Sequence, residues 1–318
     1  MPSPQKRSSS FFKIVLAFIF GWFSHKMTSF QIQLGETMVT GIPSGADTIA
    51  SEVGLRDSSV EVQTEIPDTS IILLTNLVPL HPNITQTTTV LESAFKYLEG
   101  LPPTTPVFIA VDFLVEPDSV MARKHNYASN NEKDRNRLQQ YISNLRAHYL
   151  PMKNVQIVPA VSWGMINYNI GRALEVVETK YIYVMQHDFA FKKPIDHKAI
   201  VKTFDEYYPE HIWKLEFAYK PKTPWATQST CYGMTTPVQD VNGIHTTKQS
   251  TWTDQNHFTT KEHYLKVLED IGPSHRTPEH PMNTQAVKNC VKIGTHLYGP
   301  DEEGYLDHLN GRFTKSQE

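Results

Sequence analysis

The stretch Tyr181-Ile-Tyr-Val-Met-Gln-His-Asp-Phe-Ala-Phe191 sets a polar pair, His187 and Asp188, directly behind a run of Tyr, Ile and Val. Such a run reads as a buried strand. An acid that closes a strand is either a cap or a group held clear of the core to meet a ligand. Asp188 is therefore a candidate ligand for a divalent cation, Mn2+ or Mg2+, which needs one or two carboxylates and completes its shell with phosphate oxygens and water. Manganese also accepts imidazole, so His308 is a second candidate ligand, against the alternative of a surface histidine. His187 is a weaker one, because on a strand its side chain alternates away from Asp188. Ten of the fourteen histidines lie from His187 onward, which directs the search for ligands to the second half of the chain.

Other residue types suit neighbouring roles. Asp254, close behind Trp252 and ahead of a helix, can serve as a general base toward a hydroxyl; its alternative is a turn or cap aspartate. Glu279, in a proline-flanked loop, is the rival base. Thr75 and Asn76 break an apolar run with polar groups. Asp112 closes another strand, and is either a hydrogen-bond acceptor for a ligand or an ordinary strand-end aspartate. Arg172 offers a bidentate fork for phosphate, or is a solvated helix arginine.

These residues need a scaffold, and the first half of the chain supplies one. Ile71–Val78, Val107–Asp112, Val155–Ala160 and the run from Tyr181 read as strands. Helical stripes separate them: Val90, Leu91, Ala94, Phe95 and Leu98; Leu138, Tyr141, Ile142, Leu145 and Tyr149; Ile166, Ile170, Leu174 and Val177. Pro159 marks a strand end. This alternation predicts an α/β domain with a doubly wound, mostly parallel sheet flanked by helices. Beyond it, Trp213–Tyr219 alternates as a half-exposed strand does. Thr259-Thr-Lys-Glu262 has the spacing of a capping box before a helix through Tyr264, Leu265 and Leu268. Asn283 opens a further helix through Ala286, Val287, Cys290 and Val291.

Composition narrows the classes. The chain is 39% apolar and 20% charged over 318 residues, ordinary for a globular protein, and its net charge of −3 gives no basic footprint for nucleic acid. Cys231 and Cys290 form no CxxC, which excludes a cysteine-rich zinc site and leaves one disulfide or two free thiols. Neither GxGxxG nor GxxxxGK[ST] is present, and GxSxG and HExxH are also absent. Lys6 and Arg7 precede the apolar run Phe11–Phe23, the pattern of a signal anchor, with a cleaved signal as the alternative. The expected layout is a cytoplasmic tail at 1–10, an anchor at 11–24, a stem at 25–69 and a catalytic domain at 70–318. That is a single-pass type II membrane protein with its domain in the Golgi or endoplasmic reticulum lumen, where the Asn83-Ile-Thr85 sequon would be glycosylated.

Gly171-Arg172-Ala173 on a helix, followed by a strand ending in His187-Asp188-Phe189, resembles the glycosyltransferase family 2-like enzymes of the GT-A fold over residues 70 to 312. In that family a G-x-x-x-A-R-N-like helix precedes a strand ending in D-x-D, which binds metal and nucleotide-sugar diphosphate. Here the second carboxylate is missing. The resemblance implies a hexosyltransferase moving sugar from a nucleotide-sugar donor to a hydroxyl of a glycan, protein or lipid acceptor. It implies Thr75, Asn76, Asp112, Arg172, His187 and Asp188 as donor-binding residues, and Trp252 and His257, within Trp252-Thr-Asp-Gln-Asn-His257, as acceptor-binding. Two other readings remain: a catalytically inactive nucleotide- or carbohydrate-binding relative, and a sugar nucleotidyltransferase. The latter normally has a Gly- and Arg-rich loop after its first strand, which Leu80-His-Pro-Asn83 does not provide.

Overall fold

The computed structural model describes residues 68 to 309, leaving out 79, 126, 220–238, 250–251, 273–276, 280, 284–293 and 300–303. In chain order the first elements are β1 (Thr69–Thr75), α1 (Thr85–Tyr97), β2 (Leu98–Glu99), β3 (Val107–Val111), α2 (Val120–His125), α3 (Glu132–Tyr149), β4 (Val155–Pro159), α4 (Met165–Leu174) and β5 (Tyr181–Gln186). They continue as β6 (Phe189–Phe191), β7 (Ile195–Asp196), α5 (His197–Tyr207), β8 (Lys214–Glu216), β9 (Gln239–Val241) and β10 (Ile244–Lys248). The last are β11 (His257–Thr260), α6 (Lys261–Ile271), β12 (Thr295–Tyr298) and β13 (Leu306–His308).

Nine strands form one sheet in the order β4-β3-β1-β5-β11-β8-β12-β10-β9. Only β11 and β10 run against the others, so the sheet is mostly parallel. Strands β1 and β3 are buried at every residue, the pattern of a sheet covered on both faces. Alternate residues of β1 serve different layers: Ile71 and Leu73 pack with Val90, Leu138, Tyr141 and Phe204 of α1, α3 and α5. Ile72 and Leu74 pack with Ile170 and Leu174 of α4 and Val267 of α6. The fold is thus doubly wound, as the apolar alternation predicts.

Local chemistry sets the helix starts. Asn131 caps α3 by accepting from the Asp134 N–H at 2.9 Å, and Asp196 caps α5 from Ala199 at 2.9 Å. For α6 the expected capping box is displaced by one residue. Thr260 is the cap and accepts from His263 at 3.0 Å, while Thr259 still belongs to β11. Pro159 closes the edge strand β4, where no ladder donor is missed.

Three expectations need correction. Strand β1 stops at Thr75, so Asn76, Leu77 and Val78 leave the sheet, with Leu77 and Val78 still buried. Strand β8 is not half exposed: it lies inside the sheet between β11 and β12, with Lys214 0% and Glu216 1% exposed. Its alternation is that of a buried ion pair, not of a wet face. The type II membrane arrangement is also corrected, because among the described residues no helix is long and apolar enough to cross a membrane. The segment 11–24 lies outside the described residues, as do residues 25–67 of the expected stem, Cys231, Cys290 and the helix expected at 286–291, while Thr69, placed at the end of that stem, opens β1.

Candidate active site

The chain leaves β1 toward β3 on one side, and returns through β4 to place β5 on the other side. Connections that diverge in this way open a crevice at the carboxyl ends of the strands. A cleft of about 330 Å³ occupies that place. Thr75, Asn76 and Val78 line it from the end of β1, Asp112 from β3, and Gln186, His187 and Asp188 from β5. Met165 and Asn169 of α4, Gln86 of α1, and His308 and Leu309 complete much of the wall.

The floor under Thr75 is held by hydroxyls. The Tyr141 hydroxyl bonds to Thr75 Oγ1 at 2.9 Å and to Thr87 Oγ1 at 2.6 Å, joining α3 and α1 to the strand end. The Tyr141 ring stacks on His81 at 3.8 Å, and burial pushes that imidazole down to about 3, so it is neutral. Arg137 donates to the carbonyls of Val78 at 3.1 Å and His81 at 3.1 Å, fixing the loop that follows β1.

Asp112 lines the cleft, but its oxygens are engaged by backbone. Oδ1 accepts from the N–H groups of Phe113 at 2.8 Å and Gly164 at 3.2 Å, and Oδ2 accepts from Met165 at 3.1 Å. It therefore anchors the start of α4, where Met165 sits at φ 55°, a conformation that costs a non-glycine residue energy. Burial raises its carboxyl above the usual range, opposed by these hydrogen bonds.

Asp188 and His308 come together. His308 Nε2 lies 3.2 Å from Asp188 Oδ2, across 120 residues of sequence. The pairing of β13 with β6 makes that meeting possible, and the Leu309 N–H donates to the Asp188 carbonyl at 2.7 Å. Gln86 Nε2 holds the Leu309 carbonyl at 3.1 Å, tying the carboxyl-terminal segment to α1. Asp188 Oδ1 is buried without a hydrogen-bond partner, as is Asn76 Oδ1. His187 also lines the cleft. Strand β5 ends at Gln186, one residue before it.

No Lys or Arg stands among the described residues lining the cleft. Among the described residues no group of three or more His, Cys, Asp or Glu is placed to hold a metal. The Asp188–His308 pair nonetheless fits a divalent cation of the manganese kind. It offers one carboxylate with an unpartnered oxygen and one imidazole, and leaves the remaining positions to phosphate and water.

Beside this cleft lies a second polar group on β8, β11 and the loop between Trp252 and Asn256. Gln186 joins the two, since its side-chain amide donates to the Asp254 carbonyl. Burial pushes the Asp254 carboxyl up to about 7, with Lys214 opposing the rise and Glu279 adding to it. A carboxyl poised there suits proton transfer near neutral pH. Burial likewise raises Glu279, with Glu216 contributing and Lys214 opposing.

The remaining expected residues stand elsewhere. Arg172, in the last turn of α4, is not among the cleft residues, and its guanidinium lies 5.9 Å from the Tyr168 ring. Trp252 and His257 are 2% and 1% exposed, so neither offers an open face to an acceptor. Lys214 Nζ sits 3.7 Å over the Trp252 ring, and His257 stacks on Tyr264 at 5.7 Å. Residues missed at the sequence level are Tyr141, Gln86, Gln186, Asn169, Lys214 and Glu216. Of these, Lys214 and Glu216 stand in the alternation of Trp213–Tyr219, which reads as one exposed face although both are buried.

The sequence matches no protein-family model and no curated protein. Among solved structures it is similar to S. aureus TarS 1-349, at 10% identity and TM-score 0.40 over 76% of this chain and 60% of that one. It is similar to S. aureus TarS at 12% identity and TM-score 0.42, covering 76% of this chain and 36% of that one. A third is the mannosyltransferase PcManGT from Pyrobaculum calidifontis in complex with GDP-Man and Mn2+, at 8% identity and TM-score 0.40 over 72% and 54% of the two chains. The chain spans less than two thirds of the length of each. Likeness at this level is no ground for assigning chemistry, which must come from the geometry above.

Proposed function

We propose that this chain is a glycosyltransferase that moves a sugar from a nucleotide-sugar donor to a hydroxyl acceptor. The observation that carries this reading is the meeting of Asp188 and His308 at 3.2 Å in a cleft beyond the carboxyl ends of β1 and β5. Asp188 and His308 would hold a divalent cation, which supplies positive charge to the departing diphosphate. With no Lys or Arg among the described residues of the cleft, that charge has no evident alternative source there. Thr75, fixed from below by Tyr141, together with Asn76 and Asn169 would meet the nucleoside through hydrogen bonds. Asp112 contributes indirectly by holding Gly164 and Met165 in place.

On the acceptor side Asp254 is the base. The acceptor oxygen gains the bond to the anomeric carbon, the diphosphate leaves with the bonding electrons, and the hydroxyl proton passes to Asp254. A carboxyl raised to about 7 accepts a proton more readily than an exposed aspartate does. Nucleoside diphosphate release from UDP-GlcNAc and GDP-mannose, followed on the purified chain with and without Mn2+, tests the reading. Release that Mn2+ accelerates supports transfer chemistry. Binding of both donors with no release indicates an inactive binding relative, and binding of neither rules the proposal out.

A further inference from the structure

The loop from Trp252 to Asn256 belongs to no helix or strand, so its backbone groups must find partners elsewhere. They find them in side chains, almost residue by residue. Asn283 accepts from the Trp252 N–H at 2.6 Å and donates to its carbonyl at 3.0 Å. Glu216 Oε1 accepts from the Thr253 N–H at 2.9 Å, and Lys214 Nζ donates to the Thr253 carbonyl. Gln186 donates to the Asp254 carbonyl, and His257 Nδ1 lies 2.7 Å from the Gln255 carbonyl. At Asn256 the carbonyl instead accepts from the Phe217 N–H at 3.0 Å, while its side-chain amide accepts from the Gln186 N–H at 2.9 Å and donates to the Phe189 carbonyl at 2.8 Å.

Lys214 and Glu216 lie on one face of β8 with their charged atoms 2.9 Å apart. A fully buried ion pair is a poor source of stability, because desolvation offsets its attraction, and an apolar replacement is often neutral or stabilising. Stability alone therefore does not account for this pair in the middle of the sheet. We propose that the Lys214–Glu216 pair is a positioning device for Asp254: it fixes the peptide ahead of that residue and sets one permanent positive charge within reach of its carboxylate. The inference rests on the reading of Asp254 as the base. Lys214 and Glu216 act through Asp254 and touch no substrate.

The charged and titratable groups acting on Asp254 are Lys214 and Glu216 from β8, Glu279, and Tyr264 from α6. Lys214 is the largest influence opposing burial, so losing the pair together raises the proton affinity of Asp254. Because burial favours protonated Asp254, its contribution to stability is complete below about pH 4 and is lost as pH rises through about 7. The melting-temperature difference between Asp254→Asn and wild type therefore grows with pH and inflects near 7. That inflection reports the Asp254 charge without any turnover.

The test uses the full chain carrying Lys214→Met and Glu216→Met together, with and without Asp254→Asn. Changing both residues avoids leaving one buried charge unpaired. The expected result is a lower melting temperature at pH 5, from the two lost Thr253 bonds, together with an inflection moved to higher pH by about one unit, the low end for one nearby opposite charge. At pH 7 release of diphosphate from UDP-GlcNAc or GDP-mannose should fall about fivefold from ionisation alone, recovering toward pH 9. A merely structural pair gives lower melting temperatures with the inflection unmoved. An unmoved inflection overturns the proposal whatever the turnover. A moved inflection with no turnover even in wild type supports the hold on Asp254 and sinks the transfer reading instead.

Discussion

Replacing Tyr141 by Phe isolates the hydroxyl that supports the cleft floor. The ring is fully buried and its stack on His81 at 3.8 Å survives the change, so packing is nearly constant. What disappears are two hydrogen bonds, to Thr75 at 2.9 Å and to Thr87 at 2.6 Å. Thr75 and Thr87 are 4% and 0% exposed, so water does not replace the lost partner. At about 0.5–1.5 kcal/mol net for each bond, the variant should lose ~1–3 kcal/mol. For a domain of this size that lowers Tm by about 3–10 °C. Urea unfolding followed by tryptophan fluorescence gives the free energy, and a cycle with Thr87→Val should show coupling above about 0.5 kcal/mol. A loss below ~0.5 kcal/mol, or strict additivity with Thr87→Val, would refute the hydroxyl bridge.

Other expectations concern acid stability and the start of α4. Burial pushes His81 down to about 3, and His197, His263 and His296 down to about 4. Each is neutral in the fold, so the stability it gives is full above the unfolded value near 6.5 and is lost as pH falls toward 4. Scanning calorimetry from pH 7 to 4.5 should show a steadily falling Tm, with a shallower slope in His197→Gln; a flat profile contradicts the burial of neutral histidines. For Gly164→Ala, an added Cβ would lie 2.2 Å from Tyr168 Cβ. The expected loss is about 1–3 kcal/mol, the range for overpacking, and an unchanged urea midpoint contradicts it.

The first half of the fold was legible because apolar runs and helical stripes state the sheet and its layers without long-range information. Ile71 to Leu74 alternate between two helical layers, as a strand covered on both faces must. The polar residues were legible by type and not by company. Nothing local to His308 says that β13 pairs with β6 and brings it to Asp188. Lys214 and Glu216 misled because alternation in Trp213–Tyr219 reads as one wet face. Their burial depends on Trp252 and Thr253, whose backbone and ring satisfy the pair from another part of the chain. The same distance effect misplaced Trp252 and His257, whose aromatic character suggested an acceptor surface but serves the interior.

The central claim is that Asp188 and His308 hold a cation that a nucleotide-sugar donor requires. Their side chains are 27% and 41% exposed, a degree at which an ion pair contributes about 0–1 kcal/mol. Asp188→Asn should therefore leave Tm within about 4 °C of wild type while removing the charge that attracts the cation. Calorimetric titration of UDP-GlcNAc and GDP-mannose, with and without Mn2+, into wild type and Asp188→Asn measures the claim directly. The predicted result is donor binding at least about tenfold tighter with Mn2+ in wild type, a difference of ~1.4 kcal/mol, and no Mn2+ dependence in the variant. Equal donor binding without any divalent ion in wild type, or unchanged Mn2+-dependent binding in Asp188→Asn, would contradict it.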